Sequence, residues 1–206
     1  MKVTTVNHPL ISHCLHYLRQ KDTPSADFKR YCHLVTQPVV LKATENLPTI
    51  KTQVETPLEI TTSELIEGMP VWVPILRAGL GMLKIAQEIF PEGKVGHLGL
   101  ERDEETAQAR TYYQKFPDLD RKPVIVLDPM LATGGSANQA ISCIKEHSKP
   151  LSITLACIVA APEGIDAINK MHPDVQIVTA SVDRELNDVK YILPGLGDFG
   201  DRYFDT

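Results

Sequence analysis

Five short runs of largely apolar residues recur along the chain and restrict what it can fold into. They are Val71-Trp-Val-Pro-Ile-Leu76, Val95-Gly-His-Leu-Gly-Leu100, Val124-Ile-Val-Leu127, Ile153-Thr-Leu-Ala-Cys-Ile-Val159 and Val175-Gln-Ile-Val-Thr-Ala180. Such runs suit strands buried on both faces. Helical patterns follow most of them, at Leu80 to Phe90, Ala137 to His147 and Glu163 to Met171. Strands joined by helical crossovers predict an α/β fold built on a parallel sheet with helices on both faces.

The front of the chain reads differently. Asn7-His-Pro9 opens a helix carrying Leu10, Ile11, Cys14, Leu15 and Leu18 on one side. Thr23-Pro24 reads as a cap followed by proline at the first helical position, opening a second helix through Phe28, Tyr31 and Val35. Ile50 to Thr56 alternates as an exposed strand would, with Pro57 turning into Leu58-Glu-Ile60. No internal repeat, low-complexity run or linker interrupts the 206 residues, so residues 1–206 are expected to form a single domain.

Hydrophobic content of 43% and charged content of 23% are those of a globular domain. No apolar run approaches a membrane span, and the N-terminus lacks a signal-peptide hydrophobic region. A cytoplasmic protein without membrane contact is expected. The net charge of −5 argues against a nucleic-acid partner. It also means that a polyphosphate ligand must be held by local arginines and amide groups. Cys14, Cys32, Cys143 and Cys157 form no Cys-x-x-Cys pair and read as buried free thiols. His13, His16 and Cys32-His33 match no structural zinc spacing, so no metal ligand is assigned to the protein.

In a sheet of this kind ligands sit beyond the carboxyl ends of the strands. The most informative of those ends is Val124-Ile-Val-Leu-Asp-Pro-Met-Leu-Ala-Thr-Gly-Gly-Ser136. A buried strand runs into the carboxylate of Asp128, and the small-residue loop Ala132 to Ser136 leads into a helical pattern from Ala137. Small residues let backbone N–H groups converge on an anion, and a helix start adds unpaired donors and the positive end of a dipole. Thr133 and Ser136 offer hydroxyls to complete the cage. A carboxylate would repel a phosphate but accept hydrogen bonds from sugar hydroxyls beside it, so the order suits a ribose 5-phosphate. The string is neither a Walker loop nor a dinucleotide fingerprint.

Two neighbouring loops and the tail are also unusual. Pro74-Ile-Leu-Arg-Ala-Gly-Leu-Gly-Met82 sets Arg77 beside an open backbone, and a guanidinium can grip two pyrophosphate oxygens at once. Leu100 to Phe116 is long, charged and tipped with aromatics, as a solvated hairpin or surface loop would be. Tyr191-Ile-Leu-Pro-Gly-Leu-Gly-Asp-Phe-Gly-Asp-Arg-Tyr203 reads as a compact loop, either a docked tail or a surface exposing main-chain groups to a small flat base.

Together these strings resemble the type I phosphoribosyltransferases, and in the form Asp-Pro-Met-Leu-Ala-Thr-Gly-Gly-Ser the uracil-specific branch. The likeness runs from Asn7-His-Pro9 to the tail, with three specific strings in the family's order. Departures are Pro129 where most of the wider family has a second acid, Lys42 where a glutamate usually precedes Ala-Thr, Glu101, Ala107, and Phe199 where many bacterial members have alanine. The resemblance implies the phosphoribosyltransferase fold with N-terminal helices and a flexible β-arm closing over the substrate. It implies transfer of the 5-phosphoribosyl group from phosphoribosyl pyrophosphate (PRPP) to uracil, giving UMP and pyrophosphate in pyrimidine salvage. By the same likeness PRPP is bound by Arg77, Arg102, Asp128, Pro129, Met130, Leu131, Ala132, Thr133, Gly134, Gly135, Ser136 and Asp198. Uracil is met by Tyr191, Ile192, Gly197, Asp198 and Phe199, and Arg102, Asp128 and Asp198 carry the chemistry. Mg²⁺ is expected, bound mainly through PRPP, with GTP as an effector and a homo-oligomer (dimer or tetramer) as the assembly. No side chain stands out as a general base. A purine or orotate transferase would carry the second acid. The alternative from another class is a non-catalytic regulator on the same fold that binds nucleotide and RNA.

Overall fold

The computed structural model describes residues 3–102 and 109–206, with the backbone alone at Arg102 and Ala109. A short strand, β1 (Val3–Thr5), precedes two helices, α1 (Pro9–Arg19) and α2 (Ser25–Ala43). Next come a hairpin, β2 (Thr49–Glu55) and β3 (Ile60–Ile66), and the first central strand, β4 (Val71–Leu76), with α3 (Leu80–Ile89). Then follow β5 (His97–Arg102), β6 (Ala109–Lys115), β7 (Pro123–Leu127), β8 (Met130–Leu131) and α4 (Gly135–His147). The chain continues through β9 (Ser152–Ala160), α5 (Pro162–Met171), β10 (Gln176–Val182), β11 (Glu185–Leu186), β12 (Ile192–Leu193) and α6 (Phe199–Phe204).

The main sheet runs β1-β10-β9-β7-β4-β5-β6, with β8 beside β9. Its pairings are parallel except for β5 with β6, which form an antiparallel arm. All five apolar runs are strands of this sheet, and β7 is buried along its whole length. Period-two alternation divides β7 between two apolar layers. Ile125 and Leu127 join α1, α2 and α3, whereas Val124 and Val126 join α4 and α5. The expected parallel sheet with helices on both faces is the observed architecture.

Three readings of the elements are corrected. Thr23 does not cap α2: Pro24 is the N-cap residue, and the Thr23 hydroxyl donates to the Tyr17 carbonyl instead. The helix after the small-residue loop from Ala132 starts at Gly135 rather than Ala137, because Gly134 takes a left-handed φ of 80° as its N-cap. The tail is not all loop, since Phe199–Phe204 is a turn and a half of helix capped by Asp198, whose Oδ1 accepts from the Asp201 amide at 3.0 Å. The four cysteines are buried and unpaired, as expected, and burial pushes the Cys32 and Cys157 thiols up to about 12. Among the described residues no helix is long and apolar enough to cross a membrane.

Candidate active site

Asp128 follows directly on β7, whose carboxyl end is pinned between β4 and β9. Its amide donates to the Ala156 carbonyl at 3.1 Å, and its Oδ1 accepts from the Met130 amide at 3.3 Å. The carboxylate is half-buried with no cation against it among the described residues, so desolvation dominates and its pKa is pushed up to about 6, the Met130 amide working the other way. Pro129 is buried, and its carbonyl accepts from the Ile158 and Val159 amides, which ties the turn to β9.

From Met130 the chain curls around a cavity of about 90 Å³ lined by Asp128 and by Met130 to Ala137. Ser136 and Gly135 are exposed there and Thr133 is half-buried. The first turn of α4 has no intrahelical acceptors for its amides, and these together with the two hydroxyls are donors of the kind an anion takes. One contributor was silent in the sequence. The first turn of α5 lies directly on the loop's outer side, where a Cβ at Gly164 would come 2.4 Å from the Ala132 carbonyl oxygen.

A second cavity, of about 310 Å³, adjoins the first and shares Met130 and Ala132 with it. Its other walls are Ala78 from the loop after β4, and Val189 to Ile192 with Gly197 to Gly200 from the tail. The β11–β12 hairpin presents Tyr191, nearly half exposed, and its turn is closed by Asn187, whose carboxamide oxygen accepts from the Tyr191 amide at 2.8 Å. Phe199 lines the cavity but its ring is buried, 5.4 Å from the Phe28 ring and 5.5 Å from that of Tyr203. Asp198 is exposed at the cavity edge while capping α6.

Arg77 opens the loop after β4 on a cis Leu76–Arg77 peptide. Its guanidinium is mostly exposed, 4.0 Å from the Asp201 carboxylate and 5.7 Å above the Phe204 ring. The structure thus brings the loops holding Arg77, Asp128 to Ser136 and Tyr191 to Phe199 to one end of the sheet. Arg102 ends β5, paired with Ala109 across the arm. Its side chain, and the segment from Asp103 to Ala107 that holds most of the expected lid motif, lie outside the described residues. Ala78, Val189, Lys190 and Gly200 line the second cavity without having been expected. The sequence signal available for them was adjacency to the motifs alone.

No group of three or more His, Cys, Asp or Glu side chains gathers among the described residues in a way that could hold a metal ion. His13 packs edge-on against Tyr17 and Tyr31, and the Cys32 thiol is buried beside Thr36. A larger cavity, about 420 Å³, lies at the α1–α2 turn and shares no lining residue with the two described above.

A family model described as uracil phosphoribosyltransferase matches residues 5–206. A uracil phosphoribosyltransferase of Clostridium perfringens (strain SM101 / Type A) is 47% identical over 207 residues, covering 100% of this chain and 99% of the relative. One of Dictyoglomus thermophilum is 48% identical, covering 99% of each. Among solved structures, the AQ2163 protein from Aquifex aeolicus superposes with a TM-score of 0.91 at 38% identity, covering 98% of this chain and 97% of that one. A hypoxanthine-guanine phosphoribosyltransferase from Bacillus anthracis, with a TM-score of 0.51 and 10% identity, shares the fold.

Proposed function

The chain belongs to the uracil phosphoribosyltransferase family, and from that premise we infer that it transfers the 5-phosphoribosyl group of PRPP to uracil, giving UMP and pyrophosphate. The observation that carries the residue assignments is the sharing of Met130 and Ala132 between two cavities of unequal size. The smaller, ringed by amides and hydroxyls, suits a phosphate. The larger suits a flat base, and Asp128, which lines the smaller, would meet the ribose that joins them.

In this reading the 5-phosphate anchors on the Ala132 to Ser136 loop, and the remote binding energy positions the anomeric carbon. A uracil ring nitrogen attacks that carbon as the bond to pyrophosphate breaks, and its proton passes to water. Negative charge grows on the leaving group, where Arg77 and, from the arm, Arg102 provide guanidinium donors. Positive charge grows on the ribose ring near Asp128, whose carboxylate also accepts from the sugar hydroxyls. With the Phe199 ring turned into the core, uracil is read by main-chain groups around Ile192, Gly197 and Phe199, with Tyr191 and Asp198 at the edge. Such a site penalises a base that leaves those groups unpaired. Pro129 follows Asp128 where a second acid would help to hold a cation, so a Mg²⁺ ion would be held mainly by PRPP and would supply charge neutralisation to the leaving pyrophosphate. The proposal extends to cytoplasmic residence, a homo-oligomer and GTP as an effector, which sedimentation and a GTP titration of the assay test.

The deciding experiment supplies PRPP with each free base in turn and measures pyrophosphate. Turnover with uracil is expected, with little for cytosine, orotate or hypoxanthine. A comparable rate with a purine would overturn the assignment.

A further inference from the structure

The tail loop that lines the larger cavity is gripped from beneath by two side chains that no motif announces. The last residue of α1, Arg19, forks onto Asp183 just beyond β10, with both nitrogen–oxygen distances at 2.7 Å. The Asp183 side chain is 2% exposed. Its backbone is fixed too, its amide donating to the Ala160 carbonyl at the end of β9.

The same pair holds both polar main-chain atoms of Gly195. The Gly195 amide donates to Asp183 Oδ2 at 2.9 Å, and its carbonyl accepts from Arg19 Nη1 at 2.9 Å. Ser181 completes the set, donating to Asp183 Oδ1 at 2.8 Å and accepting from Arg19 Nη2 at 3.2 Å. Four donors therefore satisfy the carboxylate. Burial pushes the Asp183 carboxyl up, but these hydrogen bonds outweigh it and hold it below the usual carboxylate range. Gly195 has a φ of 61°, and a Cβ there would lie 2.1 Å from the Ile192 carbonyl oxygen, so this turn admits only glycine. The next carbonyl, that of Leu196, accepts from a different arginine, Arg202, which also donates to Leu18 and Gln20 at the end of α1.

Fastening a tail to a core does not require this. Apolar packing does as well or better, because burying an ion pair costs desolvation that its attraction scarcely returns. A bidentate pair supplies direction, holding a main-chain atom to a fraction of an ångström. Main-chain position matters two residues further on, at Gly197 to Phe199, where the chain lines the cavity again.

We propose that Arg19 and Asp183 are positioning residues for base recognition, which set the main chain of residues 195–199 at the height that reads uracil while touching no substrate themselves. The proposal rests on the reading of the larger cavity as the uracil site. It predicts a division between the substrates, since the phosphate cradle hangs on β7, β9 and α5 and not on this pair.

Steady-state kinetics of the full chain test it with three variants. Arg19→Lys keeps the charge but loses the fork, Asp183→Asn keeps the shape, and Ser181→Ala keeps both charges. For the first two, KM for uracil is expected to rise about tenfold or more while KM for PRPP stays within about twofold, with narrowed discrimination against cytosine. Should Asp183→Asn fail to fold, Ser181→Ala retains the ion pair and is expected to show the same division at about two- to threefold. Unchanged uracil KM in Arg19→Lys and Ser181→Ala would overturn the proposal. So would a uniform loss of activity that follows the folded fraction, which would make the pair merely structural. If the unaltered chain releases no pyrophosphate with uracil, it is the assignment of the reaction that fails. An active parent with indifferent variants refutes the clamp alone.

Discussion

Asp128 faces opposite demands in the free protein and in the substrate complex. A carboxyl that titrates near 6 in the folded chain, against about 3.9 when unfolded, prefers its neutral form on folding. Its folded pKa is the higher one, so its contribution favours the fold at low pH and is lost as pH rises through about 6. At neutral pH the cost is about 3 kcal/mol at most. Such a group is unfavourable to the fold but useful to a sugar on which positive charge grows. Asp128→Asn is therefore expected to move two measurements in opposite directions. The charged hydrogen bond it removes is worth about 1.5–3 kcal/mol, a ten- to hundredfold or so loss in kcat/KM for PRPP. The ligand-free melting temperature should instead rise by a few degrees at neutral pH, since asparagine can still accept from the Met130 amide. Near-normal kinetics with a lower melting temperature would make Asp128 a turn cap. The motif showed this residue's place at the end of a strand, but its perturbed titration depends on neighbours brought in by β9.

At the scale of elements, the buried strands were legible and the short edge strand β1 was not. β4, β7, β9 and β10 are enclosed by helices, which leaves few residue types for their positions, so their sequences are largely apolar. β1 is three residues of an edge strand with a mostly exposed surface, and nothing in its composition sets it apart. The hairpin of β2 and β3 is equally exposed, yet the alternation from Ile50 to Thr56 and the turn at Pro57 announced it. The contact between α5 and the cradle was invisible, because Pro162-Glu163-Gly164 reads only as a helix start. Gly164→Ala tests what that contact does. Alanine favours the helix itself by as much as about 1 kcal/mol, yet its methyl would press on the Ala132 carbonyl. KM for PRPP is expected to rise about tenfold with the circular dichroism unchanged. An unaltered KM would mean that the loop yields without consequence, or that the phosphate lies elsewhere.

For the whole molecule, two sets of buried groups pull the pH dependence of stability in opposite directions. His33 and His172 are held below 6.5 by burial, helped by Lys84 and Lys145 respectively. Their folded pKa values are depressed, so what they contribute is present above about 6.5 and lost as pH falls. Asp128 does the reverse, favouring the fold as pH falls from about 6 to about 4. Over that window the parent protein should lose stability only gradually on acidification. Asp128→Asn, without the compensating group, should lose it more steeply. Urea unfolding of both proteins between about pH 7.5 and 4.5 measures the difference, in which shared carboxylates cancel. Parallel curves would remove the shifted titration of Asp128 and its mechanistic consequence.

What the sequence by itself determined is whatever a local stretch of chain must express alone. The buried strands, the carboxylate followed by small residues, and the glycine-rich tail each demand particular residue types within a dozen positions, and their order along the chain implied their shared end of the sheet. The tertiary structure decided matters that depend on residues far apart. It turned the Phe199 ring inward against Phe28, leaving main chain at the cavity. It laid Gly164 on the cradle and joined Arg19 to Asp183 across 164 positions of sequence. Periodicity and spacing are local quantities, whereas close packing and the satisfaction of a buried charge are settled only once distant segments meet.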